Sequence, residues 1–318
     1  MRLYRVLLLL MVSLGAVLCL ELVTGPVRIP PEQVLQALLG QTKGSQEVIV
    51  RELRLPRAVL ALLAGVALSV SGAVFQGVFR NPMAEPYVLG VASGAALGMS
   101  IAMLYLKSYV LLLSFAFGLA TLGVVYSIAG TRTHALLLAG VSVSLFLSAL
   151  TSFILYLNAR DAATIMFTLM GTLSSATWDR VRVSLVVLPV ALLIYLFSRE
   201  LNILTLGDEN ARVLGLEAGR MKLLLLSLST LLASVTVSLC GIIGFVGLIT
   251  PHIARLLVGQ DFRLLLPAAS LTGAALLMLA DVAARSLAPG EVPVNIVTTL
   301  FGVPFFIYLL VRSRRSEV

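Results

Sequence analysis

The chain has 318 residues, of which 59% are hydrophobic and only 12% charged, and it carries a net charge of +8. Soluble globular domains are nearer about 25% charged, so this composition, with a mean hydropathy of +1.04, excludes a sizeable soluble domain and describes a polytopic membrane protein. The positive balance suits anionic lipid and acidic surfaces, and no nucleic-acid motif accompanies it.

Ten apolar stretches fill the sequence at 6–23, 58–79, 87–106, 110–130, 135–157, 181–198, 222–239, 241–258, 264–284 and 294–311. A spanning helix needs roughly 20 mostly apolar residues, and lipid offers the backbone no hydrogen-bond partners, so the segments are expected to be helices. Runs such as Leu7–Leu10 and Leu223–Leu226 lack the period-two polarity of a membrane barrel. The expectation is an all-α fold in a single transmembrane domain, 1–318. The first stretch is read as a retained span rather than a signal peptide. An even number of spans puts both termini on one side, and Arg2, Arg5, Arg312, Arg314 and Arg315 make that side cytoplasmic. The bias is weak: 13 of the 23 Lys+Arg fall inside and 10 outside. An acidic partner docking outside would explain the excess there.

Four polar segments interrupt the pattern. The outside loop 24–57 ends in Arg54-Leu55-Pro56-Arg57; a residue before proline avoids the α region, so a helix is expected to start at Pro56, with Arg57 in its first turn. Both arginines suit either lipid headgroups or a docked partner. Next comes Arg80-Asn81-Pro82-Met83-Ala84-Glu85-Pro86, followed by Gly90, Ser93 and Gly94, a turn and then small residues that allow close packing or a moving element beside a path. The cytoplasmic region 199–221 contains Asp208, Glu209, Asn210, Ala211, Arg212, Val213, Leu214, Gly215 and Leu216. Asp208 is the expected N-cap and Gly215 the expected stop, exposing Val213, Leu214 and Leu216 as an interface or an ordinary linker. Asp281 and Arg285, four apart, are expected to pair within their span. Residues 162–180 are expected to form an outside helix or re-entrant hairpin anchored by Trp178. Cys19 and Cys240 are read as small buried residues, and His134 and His252 as loop or packing residues rather than metal ligands.

In this order and spacing the segments resemble the permease subunits of binding-protein-dependent ABC importers for iron complexes and cobalamin, the FecCD type. The matching text is RELRLPRAVLALLAGVALSVSGAVFQGVFRNPMAEPYVLGVASGAALG (51–98), GDENARVLGLEAGR (207–220), GFVGLITPHIARLLVG (244–259) and LPAASLTGAALLMLADVAARSLAPGEVPVNIVTTLFGVPFFIYLLVR (266–312). Met83 stands where the family more often has Leu.

The resemblance implies a ten-span fold with an inverted repeat, a second permease copy around a central pathway, and two cytosolic ATPase subunits that bind ATP and Mg. This chain has no Gly-x-x-x-x-Gly-Lys-Ser/Thr pattern and would itself be no enzyme, with no cofactor and no metal of its own. Asp208, Glu209, Asn210, Ala211, Arg212, Leu214, Gly215 and Leu216 would form the helix coupling it to the ATPase. Arg54, Arg57 and Arg285 would meet acidic residues of an outside binding protein. Asn81, Pro82, Glu85, Pro86, Gly90, Ser93 and Gly94 would belong to the pathway or its packing, with a gate near Thr131–Ala135. The location implied is a bacterial or archaeal cytoplasmic membrane. Ferric siderophores are the first expected cargo, with cobalamin and haem as alternatives. The rival class is a secondary transporter running on an ion gradient, for which Asp281 is the only clear mid-to-late-span acid.

Overall fold

The computed structural model describes residues 2–41, 44–106, 109–130, 133–288 and 290–316. Among them every regular element is helical: α1 (Arg2–Val23), α2 (Pro31–Leu38), α3 (Ser45–Val48), α4 (Leu55–Phe79), α5 (Val91–Ile101), α6 (Val110–Ala129), α7 (Thr133–Leu157), α8 (Ala159–Leu169), α9 (Trp178–Ser184), α10 (Val187–Leu196), α11 (Ser198–Thr205), α12 (Asp208–Val213), α13 (Ala218–Cys240), α14 (Val246–Val258), α15 (Phe262–Ser286) and α16 (Val294–Ser316).

Among the described residues, six helices are long and apolar enough to cross a membrane: Tyr4–Val23, Ser45–Phe79, Val110–Ala129, His134–Leu157, Ala218–Cys240 and Phe262–Ser286. Trp178–Leu196 and Ser198–Thr205 make a seventh if taken as one span bent by 55°. Val91–Leu106, Val246–Val258 and Val294–Ile307 are apolar but shorter.

The organising element is α4, apolar on every face and buried along almost its whole length, the pattern of a helix enclosed by others. It packs against α13, α14 and α15. Glycine makes the contact possible. A Cβ on Gly72 would lie 1.8 Å from the Gly247 carbonyl oxygen at the start of α14, and one on Gly65 would lie 2.4 Å from the Gly273 carbonyl oxygen of α15. In lipid, where apolar burial between helices gains little, such backbone approach supplies much of the attraction.

Several expectations change. Leu55 does not leave the helical region: it sits at φ −64°, ψ −50°, and the helix continues backwards through a π-helical stretch, Ile49–Arg54, to Ser45. Pro56 has no N–H to donate, and the wider turns before it relieve the clash of its ring. Arg57 therefore lies inside a 35-residue helix, not at a helix start. The region 24–57 is largely helical, with Ile29, Val34, Ala37 and Val50 buried. The expected span 241–258 is helical only from Val246. The preceding glycine-rich stretch has its backbone satisfied by the turn after α8 and by α16. The Ile242 N–H donates to the Leu169 carbonyl (3.1 Å) and the Gly244 N–H to Asn295 Oδ1 (2.9 Å), while the Cys240 carbonyl accepts from the Thr172 N–H at 2.7 Å. Irregular backbone inside a membrane protein is tolerated when protein closes its hydrogen bonds in this way. Residues 162–180 resolve into α8, a turn and the start of α9, with Trp178 Nε1 donating to the Arg51 carbonyl at 3.1 Å. Cys240 is buried as expected, but Cys19 is exposed on α1.

Candidate functional site

The two ends of α4, about 35 Å apart at 1.5 Å per residue, carry the two groups of polar residues. At its first end Arg57 donates from Nε to Asp281 Oδ2 (2.8 Å) and from Nη2 to Asp281 Oδ1 (2.9 Å), while Nη1 reaches both oxygens of Glu291 at 2.8 and 3.0 Å. Arg285 pairs with Asp281 within α15 (3.1 Å), as its spacing predicts, and also with Glu21 at 2.6 Å. Its Nη1 donates to the Thr24 carbonyl at 2.9 Å. Arg54 donates to the carbonyls of Leu22 (2.6 Å), Val23 (2.8 Å) and Val27. Two guanidinium groups thus satisfy the carbonyls that end α1, where a cation also meets the negative end of the helix dipole.

Arg54, Arg57 and Arg285, the residues expected to meet a docking partner, are mostly enclosed in this arrangement. Arg54 is 5% and Arg57 9% exposed, the Arg285 side chain 3%, and Asp281 is fully buried. Their guanidinium groups are turned inward, because an apolar surrounding makes a buried charge costly unless it is paired and fully hydrogen-bonded. Among the described residues, the arginines that remain open at this end include Arg28, Arg51, Arg160 and Arg182, with Arg51 and Arg182 in local pairs with Glu47 and Asp179. Glu21 and Glu291 were not anticipated as partners. The available signal was Glu21 itself, the sole charged residue in the stretch 6–23.

At the other end of α4 lies α12, six residues long. Gly207, not Asp208, occupies its N-cap position, and no side chain caps it. Asp208 sits in the first turn, where its charge favours the dipole, and accepts a hydrogen bond from Lys222 Nζ of α13 at 2.7 Å. Gly215 ends the helix as expected. At φ +81° it allows the Leu216 N–H to reach the Ala211 carbonyl and its own N–H the Arg212 carbonyl, both at 2.9 Å, the paired bonds of a Schellman stop. Ala211 is fully buried, whereas Val213 is 87% and Leu214 58% exposed, and Glu209, Asn210 and Arg212 are open to solvent. Leu216 departs from expectation: it is half-buried against the core.

At this same end lies the turn after α4. Asn81 Oδ1 accepts from the Met83 N–H at 2.9 Å, Pro82 is exposed and Pro86 buried. Glu85 is half-buried, and loss of water pushes its carboxyl up to about 7. Gly94 belongs to packing, since a Cβ there would stand 2.1 Å from Thr121 Oγ1. Ser93 lies 3.2 Å from Ser148 Oγ of α7. Both line a cavity of ≈ 350 Å³ with Thr151, Ser152, Met166 and Asn295, whose walls carry no charged side chain. Gly90 turns the chain into α5 beside Ser144. Of the expected gate, Thr131 and Arg132 lie outside the described residues. Among the described residues no group of three His, Cys, Asp or Glu is placed to hold a metal ion.

Comparison with known proteins places this geometry. The model of the FecCD transport family matches residues 8–312. The cobalamin import system permease protein BtuC of Halobacterium salinarum is 46% identical over 273 residues, covering 83% of this chain and 73% of that protein. The hemin transport system permease protein HmuU of Yersinia pestis is 42% identical over 281 residues, covering 83% and 84%. A solved structure described as an inward-facing conformation of a metal-chelate type ABC transporter superposes with a TM-score of 0.87 at 32% identity, over 97% of this chain and 99% of that one.

Proposed function

Since the chain belongs to the FecCD transport family, we propose that it is the pathway-forming subunit of an ATP-driven importer for a metal–organic chelate. It is an ABC permease and a multi-pass membrane protein. In this reading the six long helices, the bent pair and the three shorter apolar helices are ten crossings, with both termini in the cytoplasm of a bacterial or archaeal cell. A second copy completes the pathway, two ATPase subunits bind ATP and Mg from the cytoplasmic side, and an outside binding protein delivers cargo. ATP binding moves the ATPases, α12 passes that motion into the bundle, and the path alternates between its two openings.

The observation that carries the reading is α12: a short helix between two membrane segments, rooted by buried Ala211, that presents Val213 and Leu214 to solvent. Exposed aliphatic side chains at a cytosolic helix end suit a protein interface. Docking of an acidic binding protein falls, in this reading, to Arg28, Arg51 and Arg182, which are open where Arg54, Arg57 and Arg285 are not. The cavity around Ser93 and Ser148 forms part of the path wall. Its lack of charge suits weak, passing contact with cargo.

The cargo is a ferric siderophore, cobalamin or haem; the relatives named above carry cobalamin and hemin in their names, so both stand beside the siderophore. The test is uptake by the native host lacking this gene, with radiolabelled ferric siderophore, cobalamin and hemin compared. Loss of one cargo alone assigns it. Uptake that survives ATP depletion but collapses with the ion gradient would replace the importer with a secondary transporter.

A further inference from the structure

Lys222 is the feature that the fold alone does not require. It is 2% exposed, one of the largest fully buried side chains in the protein, and it lies in the first turns of α13. A lysine buried to this degree is rare unless paired. Among the described residues its one carboxylate partner is Asp208, whose two oxygens both lie 2.7 Å from Nζ. Asp208 belongs to α12, and its side chain keeps 42% of its exposure. The pair therefore has one end in the bundle and the other on the helix that faces the ATPase.

The surroundings make this link directional. Leu225 and Leu226, just beyond Lys222 on α13, are fully buried, and α13 packs along both α4 and α6. Tyr126 of α6 donates from its hydroxyl to the Gly219 carbonyl at 3.3 Å, holding the same turn of α13. At the N-cap of α12, Arg80 Nη1 comes so near Gly207 that a Cβ there would be 3.0 Å from it. The connection from α12 to α13 otherwise runs through exposed Gly215 and Glu217, with Leu216 half-buried between them.

We propose that the Lys222–Asp208 ion pair is the positioning link that makes α12 and α13 move as one body, so that displacement of α12 by the ATPase reaches the spans rather than being absorbed by the loop at 214–217. This rests on the assignment of α12 as the ATPase-facing helix. Lys222 touches neither cargo nor ATPase; it acts through Asp208.

The test is the ratio of cargo transported to ATP hydrolysed, measured with the assembled importer in proteoliposomes. Lys222→Met replaces the buried charge by an apolar chain of similar length, a change that buried ion pairs often tolerate, and leaves Asp208 hydrated. The expected result is ATPase subunits that still copurify and hydrolyse ATP, with transport per ATP reduced about tenfold, within the usual range of coupling between sites. Lys222→Arg restores coupling, and Lys222→Gln, which keeps a hydrogen bond without the charge, falls between. Wild-type coupling in the Met variant overturns the proposal. If that variant fails to accumulate, equal coupling in the Arg and Gln variants overturns it instead. A Val213→Asp/Leu214→Asp variant separates the two ideas: if the ATPase still assembles on it, the assignment of α12 fails; if assembly is lost while Lys222→Met couples normally, only the link fails.

Discussion

Arg57 of α4 grips Asp281 of α15 through two hydrogen bonds of 2.8 and 2.9 Å, joining residues 224 apart in sequence. Glu291, Arg285, Glu21 and Arg54 extend the grip to the end of α1 and the loop before α16. Asp281 is the hub, fully buried between two guanidinium groups. Replacing it by Leu leaves Arg57 and Arg285 short of counter-charge, and breaking one side of a buried pair costs about 3–5 kcal/mol. Asp281→Leu is expected to lower the melting temperature in detergent sharply, whereas Arg51→Ala, removing an exposed pair with Glu47, changes it little, as surface pairs are worth about 0–1 kcal/mol. Equal melting of the two would deny the network a structural role.

The same geometry separates docking from folding. Charge reversal at Arg51 and Arg182 together is expected to weaken capture of the binding protein with little change in melting, since both side chains are exposed, Arg182 at 75% and Arg51 at 45%. Reversal at Arg57 is expected to remove folded protein altogether. Pull-down by the binding protein, read alongside melting curves, checks both. Retained capture by the folded double variant would return docking to other residues.

Close backbone packing around α4 makes a third prediction. A Cβ at Gly72 would meet the Gly247 carbonyl oxygen at 1.8 Å, and neither backbone can yield without moving a helix. Gly72→Ala is expected to cost about 1–3 kcal/mol or more, the range for overpacking a filled interior. Gly123 of α6 has nothing within 4 Å of its would-be Cβ, so Gly123→Ala should be neutral or gain up to about 1 kcal/mol from helix propensity. Thermal melting of the pair decides, and equal effects would mean that the α4–α14 contact is looser than drawn.

Much of this was legible in the sequence because lipid simplifies the problem. Long apolar runs in a solvent without hydrogen bonds must be helices, and Leu7–Leu10 or Leu223–Leu226 admit little else. Gly215 announced the end of α12 because a left-handed residue needs glycine there, and the Asp281–Arg285 spacing announced their pairing. What escaped was tertiary. Leu55 stayed helical because the π-helical turns at 49–54 absorbed Pro56, which a local rule about proline does not foresee. Arg54 and Arg57 looked like surface cations because their partners lie far along the chain: Asp281 and Glu291 for Arg57, the carbonyls ending α1 for Arg54. Lys222 gave a weak sign, one cation starting an apolar run, with its partner 14 residues earlier.

The turn after α4 should leave a pH signature. Burial raises the Glu85 carboxyl from its ordinary value of 4.5 to about 7, so the folded protein holds a proton that the unfolded chain has already released. Stability is then greatest below about 4.5 and declines as pH rises through about 7, above which both forms are ionised and the folded one carries the full cost of the buried charge. Melting temperature in detergent should fall across that window, and Glu85→Gln, neutral at every pH, should flatten the decline and raise the melting temperature at pH 8. Other groups titrate in the same range, so the difference between wild type and variant is the quantity to read. A difference that does not vary with pH would mean that Glu85 is hydrated in the folded state, and that the turn at 81–86 lies more open to water than its packing around Pro86 implies.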